Sequence, residues 1–138
     1  VAFAELSTAF AASGMDGELV PFLDDMPAAF ARSDLVVCRS GAGAVAELAA
    51  AGKPAILVPF PYAADDHQLR NAEAFAAAGA ARLILDREMT GQRLFDEIMT
   101  LAAAPGLLER MGQAARRLAR PGAARRAADI LEELSAQG

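Results

Sequence analysis

Cysteine, histidine and tryptophan are nearly absent from this sequence. Its 138 residues include one cysteine, one histidine and no tryptophan. The single cysteine, Cys38, excludes an intrachain disulfide framework and a cysteine-rich metal site, and its place at the end of an apolar run predicts a buried structural thiol. Asp65 and Asp66 are interpreted as residues that start a helix rather than as metal ligands. The sequence therefore predicts no metal site.

Long apolar runs and an excess of basic residues are also missing. No stretch approaches the roughly 18 consecutive apolar residues of a membrane span, and no signal peptide is recognised, so we expect a soluble cytosolic protein. The formal net charge of -5 argues against broad nucleic-acid binding, which needs a basic face. Six arginines and one glutamate lie between residues 109 and 126, in helical sequence. A solvated helix face is the favoured interpretation of this segment, with a phosphate or lipid patch as the alternative.

What is present suits one domain with a substantial core. Hydrophobic residues make up 54% of the chain, and many of them are alanines, which favour helices. The opening segment, "VAFAELSTAFAASGM", has no initiator methionine and begins directly with helical periodicity. We therefore expect the chain to be a fragment of a longer protein.

Apolar runs alternate with helical segments along the chain. Because the apolar runs are continuous, the pattern predicts an α/β fold, a parallel sheet with helices on both faces. Ligands of such folds bind outside the carboxyl ends of the strands, which draws attention to the loops that begin at Pro21, Arg39 and Phe60. The predicted strands are 18–22, 34–38, 55–60 and 81–85, and the predicted helices are 1–15, 26–33, 43–52, 65–79, 90–104, 105–120 and 121–138. Gly52 is expected to end the helix 43–52, and Thr90 is the expected N-cap of the helix 90–104. The helix 65–79 is expected to have acidic residues in its first turn and Gly79 as its cap.

The loop at Arg39 leads into a glycine-rich turn, "GAGAVA" at residues 41–46, between a strand and a helix. Gly41 and Gly43 let backbone N–H groups approach a ligand closely, and the helix start behind them favours a phosphate. A dinucleotide site also needs an acidic residue at the end of the next strand, about 20 residues on. That strand ends in "VPFPY", without a carboxylate, which weakens the dinucleotide interpretation.

Polar residues near this turn have two interpretations each. Glu47 either interacts favourably with the helix dipole, by roughly 0.3–1 kcal/mol, or accepts two hydrogen bonds from a ribose diol. A lone histidine is more often structural, but His67 and Gln68 follow a strand together and would suit a polyhydroxylated group such as a sugar. Spacing alone leaves both pairs of alternatives open.

Five segments together closely resemble the MurG family of bacterial glycosyltransferases, in their order and near their spacings: "FLDDM", "DLVVCRSGAGAVAE", "AAAGKPAILVPFP", "DDHQLRNA" and "AGAA". The similarity runs strongly over residues 21–82. The resemblance implies transfer of N-acetylglucosamine from UDP-N-acetylglucosamine to lipid I, which makes lipid II. It also implies the GT-B architecture, in which two Rossmann-like domains face a cleft. Residues 1–138 would be a truncated C-terminal, donor-binding domain without its first strand and helix, with a helical tail from about residue 90.

The resemblance also assigns roles to particular residues. The backbone of Leu23 would contact the uracil, with Phe22 and Met26 shaping the base pocket. The backbone amides of Ala42, Gly43 and Ala44 would bind the diphosphate. The carboxylate of Glu47 would bind the ribose hydroxyls. The side chains of His67 and Gln68 would bind hydroxyls of N-acetylglucosamine. No cofactor and no metal is implied.

The chain departs from the family pattern at three of these positions. Some members have a bulky residue and a threonine where this sequence has Gly43 and Ala44. Many have a second glutamine at the position of His67, and both residue types can hydrogen-bond a sugar hydroxyl.

The acceptor half of the reaction has no counterpart in this sequence. The resemblance places lipid I and the general base in an N-terminal domain, so we expect no catalytic residue here and an inactive fragment. The full-length protein would be cytoplasmic and peripheral to the inner face of the membrane. Without the family's central strand, the sheet edge could lead to self-association, exchange of elements or weak donor binding, and these stay open. The alternative functions are the donor domain of another GT-B enzyme, such as a diacylglycerol glycosyltransferase, and a non-catalytic nucleotide-binding module.

Overall fold

The computed structural model describes residue 12, residues 26–62 and residues 66–119. The predicted first helix, the predicted strand at 18–22 and the predicted helix from 121 lie outside the described residues, apart from Ala12. The elements in chain order are α1 (Met26–Arg32), β1 (Val36–Cys38), α2 (Ala42–Ala51), β2 (Ala55–Leu57), α3 (His67–Ala77), β3 (Ala81–Leu83), a 3-10 turn (Asp86–Glu88), α4 (Gly91–Ala103) and α5 (Leu107–Arg117).

The three strands form a parallel sheet in the order β1-β2-β3. Ala55 of β2 pairs with Val36 on one side and with Ala81 on the other. All three residues of the central strand β2 are buried, which explains its uninterrupted apolar sequence. The parallel pairing confirms the predicted α/β class.

Helices cover both faces of the sheet, because β2 directs alternate side chains to opposite sides. One face is covered by α1, α2, α3 and part of α5, and the other by α4 and the rest of α5. The buried residues of the first cluster are Phe30, Val36, Leu48, Ala49, Ala55, Leu57, Ala72, Phe75, Ala80, Ala81, Ala114 and Ala115. Those of the second cluster are Ile56, Val58, Ile84, Leu101 and Met111. The expected cover on both faces is confirmed.

Two helix ends agree with the prediction. Gly52 caps α2 in the left-handed conformation, with φ of 66°, and its N–H donates to Ala49 O at 3.2 Å. Thr90 is the N-cap of α4, and its Oγ1 accepts a hydrogen bond from the Arg93 N–H at 3.0 Å. Both signals are local in sequence, so they can be recognised without the tertiary structure.

Helix α5 packs directly against the C-terminal end of α2. The side chain of Arg116 donates from Nη2 to Ala51 O at 3.3 Å, which places a cation at the negative end of α2. A Cβ added at Gly112 would lie 2.6 Å from the carbonyl oxygen of Gly52. The contact between the helices therefore depends on glycine at position 112.

Strand lengths and the start of α3 differ from the prediction. Each strand has three residues. Past their carboxyl ends the ladder continues by one bond on each side of β2, from Val58 N to Cys38 O and from Ile84 N to Leu57 O, both at 3.0 Å. Pro59 follows Val58 and has no N–H to continue the ladder. Because the three strands are parallel, the loops after β1, β2 and β3 lie at one edge of the sheet.

The predicted helix over 65–79 is wrong at its start. Helix α3 begins at His67 because Asp66 is left-handed, with φ of 55°, and its first turn contains no acidic residue. Aspartate tolerates this conformation better than most residues. At the other end the cap residue is Ala78, and Gly79, with φ of 80°, follows it.

Candidate functional site

The N-terminus of α2 is open at the carboxyl edge of the sheet. Its N-cap residue, Gly41, has extended backbone angles and no side chain that could cap the helix. The first backbone hydrogen bond of the helix runs from Val45 N to Gly41 O at 3.0 Å. Within the described part of the chain, no acceptor is recorded for the amides of Ala42, Gly43 and Ala44. Three N–H groups at the positive end of the helix are therefore open to an anion.

Gly43 provides space rather than an unusual backbone conformation. The glycines with positive φ among the described residues are Gly52, Gly79 and Gly106, and neither Gly41 nor Gly43 is among them. A Cβ added at Gly43 would meet nothing within 4 Å. The surface over the three open amides is thus unobstructed, as a close backbone contact with a ligand requires.

Glu47 lies in the second turn of α2 and is half-buried. It follows Gly43 and Ala44 by four and three residues, so it shares their face of the helix, and helical side chains lean toward the N-terminus. Among the described residues, no hydrogen bond or ion pair to its carboxylate is recorded. The first turn of α2 contains no acidic residue, and the dipole effect fades within one turn, so the dipole interpretation of Glu47 is weakened.

Gln68 lies beside the glycine loop and connects two loops at this edge. Its Oε1 accepts hydrogen bonds from the backbone N–H of Phe60 at 2.9 Å and from that of Ser40 at 3.3 Å. The Ser40 hydroxyl donates to Gln68 O at 2.7 Å, and Asn71 Nδ2 donates to Ser40 O at 2.9 Å. His67, one residue earlier, is exposed at the start of α3. The two predicted sugar-binding residues thus lie at the edge expected of them, and their contacts with a sugar stay predictions.

Arg39 links the loops that follow all three strands. Its Nη1 donates to Asp86 Oδ1 at 2.6 Å, to Val58 O at 3.3 Å and to Pro59 O at 3.4 Å. The guanidinium carbon lies 5.5 Å from the centroid of the Phe60 ring. Both charged side chains are partly exposed, so the ion pair itself contributes little stability, and its main effect is to define the positions of the loops.

Sequence reasoning missed four residues of this edge: Arg39, Ser40, Asn71 and Asp86. Each follows a strand closely or faces the glycine loop from α3. Inspection of the polar residues directly after each apolar run would have found Arg39, Ser40 and Asp86, since strand ends meet at one edge. Asn71 belongs to the segment "DDHQLRNA" but was assigned no role, and it contacts the loop because it lies one turn after Gln68.

Two cavities differ in position relative to this edge. One of about 330 Å³ lies at the carboxyl edge, where Phe60 and Tyr62 pack edge to face with ring centroids 5.5 Å apart. A larger cavity of about 500 Å³ lies at the opposite end of the strands, next to Lys53 and Arg116. Neither cavity is lined by a predicted site residue. Because ligands of parallel sheets bind at the carboxyl ends of the strands, the edge with the smaller cavity is the better candidate for a binding site.

The predicted base pocket falls largely outside the described residues. Phe22 and Leu23 are not described, and Met26 is described only as the first residue of α1. Their assigned contacts with uracil stay predictions.

Other chemistry at this edge is limited. Among the described residues, no three histidine, cysteine, aspartate or glutamate side chains lie close enough together to hold a metal ion. In the same part of the chain no helix has the length and apolar character to cross a membrane. Cys38 is only partly buried, less than predicted, and burial raises the pKa of its thiol from 9.0 to about 11.

Known proteins with similar sequences and structures are glycosyltransferases. The glycosyltransferase family 28 C-terminal domain matches residues 2–134. A protein of Solibacter usitatus, named UDP-N-acetylglucosamine–N-acetylmuramyl-(pentapeptide) pyrophosphoryl-undecaprenol N-acetylglucosamine transferase, is 64% identical over 133 residues, which are 96% of this chain and 36% of that protein.

Solved structures with a similar fold are also glycosyltransferases. The structure of MurG from Acinetobacter baumannii matches with a TM-score of 0.73 and 35% identity, over 91% of this chain and 38% of that one. The glycosyltransferase VinC, solved in complex with dTDP, matches with a TM-score of 0.59 over 96% of this chain and 33% of that one, but its 21% identity supports a shared fold alone.

The chain spans little more than a third of the length of these relatives. Because the family match covers nearly every residue, and because the sheet, the glycine turn and the strand-end loops agree with it, the chain belongs to the glycosyltransferase family 28 C-terminal domain family.

Proposed function

We propose that this chain is the donor-binding part of the N-acetylglucosaminyltransferase that converts lipid I to lipid II in peptidoglycan synthesis. The observation that supports this most is the open N-terminus of α2, which has Glu47 one turn behind it and Gln68 beside it. The names of the relatives supply the substrates, UDP-N-acetylglucosamine and the lipid-linked acceptor.

The diphosphate would bind at the three open amides of Ala42, Gly43 and Ala44. Backbone N–H groups and the positive end of a ten-residue helix stabilise negative charge there without a basic side chain. The empty space over Gly43 admits the phosphate oxygens to hydrogen-bonding distance.

The nucleoside and the sugar would extend from the diphosphate in different directions. Glu47 would accept hydrogen bonds from the ribose diol, because its side chain leans back over the turn that holds the amides. His67 and Gln68, at the start of α3, would contact hydroxyls of N-acetylglucosamine. The uracil would bind near Leu23, with Phe22 and Met26 around it.

In the complete enzyme the muramyl 4-hydroxyl of lipid I would attack the anomeric carbon of the donor. A carbon–oxygen bond forms to the acceptor, the bond to the β-phosphate oxygen breaks, and the hydroxyl proton passes to a base outside this chain. Negative charge then develops on the leaving UDP, against the amides of residues 42–44, which lowers the barrier by electrostatic stabilisation. The lipid-linked acceptor would keep the complete protein at the cytoplasmic face of the membrane.

A transfer assay with competing donors tests this proposal. The full-length protein should transfer N-acetylglucosamine to a lipid I analogue, and excess UDP-N-acetylglucosamine should displace a fluorescent UDP-sugar from the site better than UDP-glucose does. A preference for UDP-glucose with a diacylglycerol acceptor would instead establish the alternative GT-B enzyme. The 138-residue chain by itself should show no transfer, and detectable transfer would contradict the assignment of the base to another domain.

A further inference from the structure

Ser40 is the one buried polar side chain among the described residues. Its amide N–H, its hydroxyl and its carbonyl oxygen all form hydrogen bonds to α3: to Gln68 Oε1 at 3.3 Å, to Gln68 O at 2.7 Å and from Asn71 Nδ2 at 2.9 Å. These bonds join the glycine loop to the first two turns of α3. The loop is therefore held by side chains before any ligand is present.

The orientation of the Gln68 amide is determined by its partners. Two backbone N–H groups, those of Ser40 and Phe60, converge on the same atom, and only the carbonyl oxygen of a carboxamide can accept them. The Nε2 group then faces the glycine loop, 3.5 Å from the position of a Cβ built on Gly41. No hydrogen-bond partner of Nε2 is recorded among residues 26–62 and 66–119.

We propose that Ser40, Gln68 and Asn71 form a clamp that positions the glycine loop, and that Gln68 serves a bound ligand only as an N–H donor. This rests on the proposed function, and it adds the chemistry of the contact. Because both accepting positions of Oε1 are occupied, the ligand atom facing Gln68 must be an oxygen that accepts, in a sugar hydroxyl or a phosphate.

The clamp acts on the ligand through the three amides of α2. Loop residues 39–41 lead directly into Ala42, so a shift of Ser40 moves the N–H groups that would hold the diphosphate. Fixing them in advance reduces the ordering that binding requires, which increases affinity. Ser40 and Asn71 are therefore positioning residues, whereas Gln68 both positions the loop and touches the ligand.

UDP and UDP-N-acetylglucosamine together separate the two roles of Gln68, because UDP lacks the sugar. Dissociation constants would be measured by calorimetry on the full-length protein with Gln68→Met, Gln68→Glu or Asn71→Ala. Gln68→Met and Asn71→Ala should each weaken UDP binding by about three- to tenfold, the effect of losing one or two hydrogen bonds that position the loop. Thr90→Ala, which removes the N-cap of α4, is the control for general destabilisation and should leave both dissociation constants unchanged.

Amide hydrogen exchange gives a readout that does not involve a ligand. The Ser40 and Phe60 amides should exchange about three- to tenfold faster in Gln68→Met. They should stay protected in Gln68→Glu, whose carboxylate still accepts both bonds. Loss of protection in Gln68→Glu would overturn the assignment of Oε1, even if Gln68→Met does not fold.

Other outcomes would also contradict the clamp. If UDP binds Gln68→Met and Asn71→Ala as tightly as the parent protein, Gln68 is only a sugar ligand and the positioning role is wrong. If Thr90→Ala weakens UDP binding equally, the effect is general destabilisation and the positioning role is again wrong. If the parent protein binds neither UDP nor UDP-N-acetylglucosamine, the proposed function itself fails.

Discussion

Replacement of Gly112 with alanine should destabilise the protein, although alanine is the better helix former. Gly112 lies inside α5, where its Cβ would be 2.6 Å from the carbonyl oxygen of Gly52 and 3.6 Å from Pro54 Cδ. The close atom belongs to the backbone at the end of α2, so it cannot rotate away as a side chain could. Relief of the overlap requires α5 to move from α2, and overpacking of this kind costs about 1–3 kcal/mol.

Gly91→Ala is the matched control for this substitution. Gly91 is the first residue of α4, and a Cβ there would meet nothing within 4 Å. Helix propensity alone would have both alanines stabilise the protein, by up to about 1 kcal/mol. The structure instead predicts that Gly112→Ala is the less stable of the two by about 1–3 kcal/mol.

Thermal and urea unfolding of the two variants measure this difference. For a domain of this size each kcal/mol should lower Tm by roughly 3–5 °C. The contact lies at the end of the strands opposite the glycine loop, so donor affinity should be unchanged in both variants. Equal stability of Gly112→Ala and Gly91→Ala would refute the close approach of α5 to α2.

Two further predictions concern Thr90 and Cys38. Thr90→Ala removes the acceptor of the Arg93 N–H bond and should lower the free energy of unfolding by about 1 kcal/mol. Thr90→Ser keeps a hydroxyl acceptor and should retain most of that stability. Equal losses in the two variants would exclude the cap. The pKa of the Cys38 thiol is raised by burial from 9.0 to about 11, so the folded protein should react with iodoacetamide at pH 8 far more slowly than the unfolded chain does. Because the folded pKa is the higher one, the unfolded state loses its proton first, and the thiol's contribution to stability should fall as pH rises from about 9 to about 11. Urea titrations across this pH range should show that decline in the parent protein and not in Cys38→Ala, and the same slope in both would contradict it.

Much of the fold could be predicted because its signals are local. The apolar run 55–60 predicted the buried strand β2, and Gly52 and Thr90 predicted helix ends whose bonding partners lie within a few residues. The start of α3 could not be predicted in this way. The acidic pair before it suggested a helix start, but the left-handed Asp66 delays the helix to His67.

The candidate site was predicted from motif and order along the chain, as the glycine turn with Glu47 and Gln68. Its internal connections were not predicted. The bonds that organise them join Gln68 to Ser40 across 28 positions and Arg39 to Asp86 across 47. Such pairs come together because parallel strands end at a common edge. The sequence pattern predicts that edge, but it does not specify which side chains form bonds across it.

Separation in sequence also explains why the requirement for glycine at position 112 was not predicted. Inside a helix such as α5, glycine is unfavourable, since it lowers helix stability by about 1 kcal/mol relative to alanine. Glycine is needed at this position because the carbonyl oxygen of Gly52, at the C-terminal end of α2, leaves no space for a Cβ.

Calorimetric titration with UDP-N-acetylglucosamine, on the parent protein and on Glu47→Ala, tests the proposed donor site most directly. Glu73→Ala, an exposed glutamate on α3, is the matched control for loss of a carboxylate. Removal of a negative charge near a diphosphate should by itself favour binding, so a weaker complex identifies a specific contact. We expect Glu47→Ala to lose on the order of 1.5–3 kcal/mol, roughly tenfold to over a hundredfold in affinity, and Glu73→Ala to bind as the parent protein does. Equal affinities of the parent protein and Glu47→Ala would contradict the ribose contact, and the absence of binding to the parent protein would contradict the donor site.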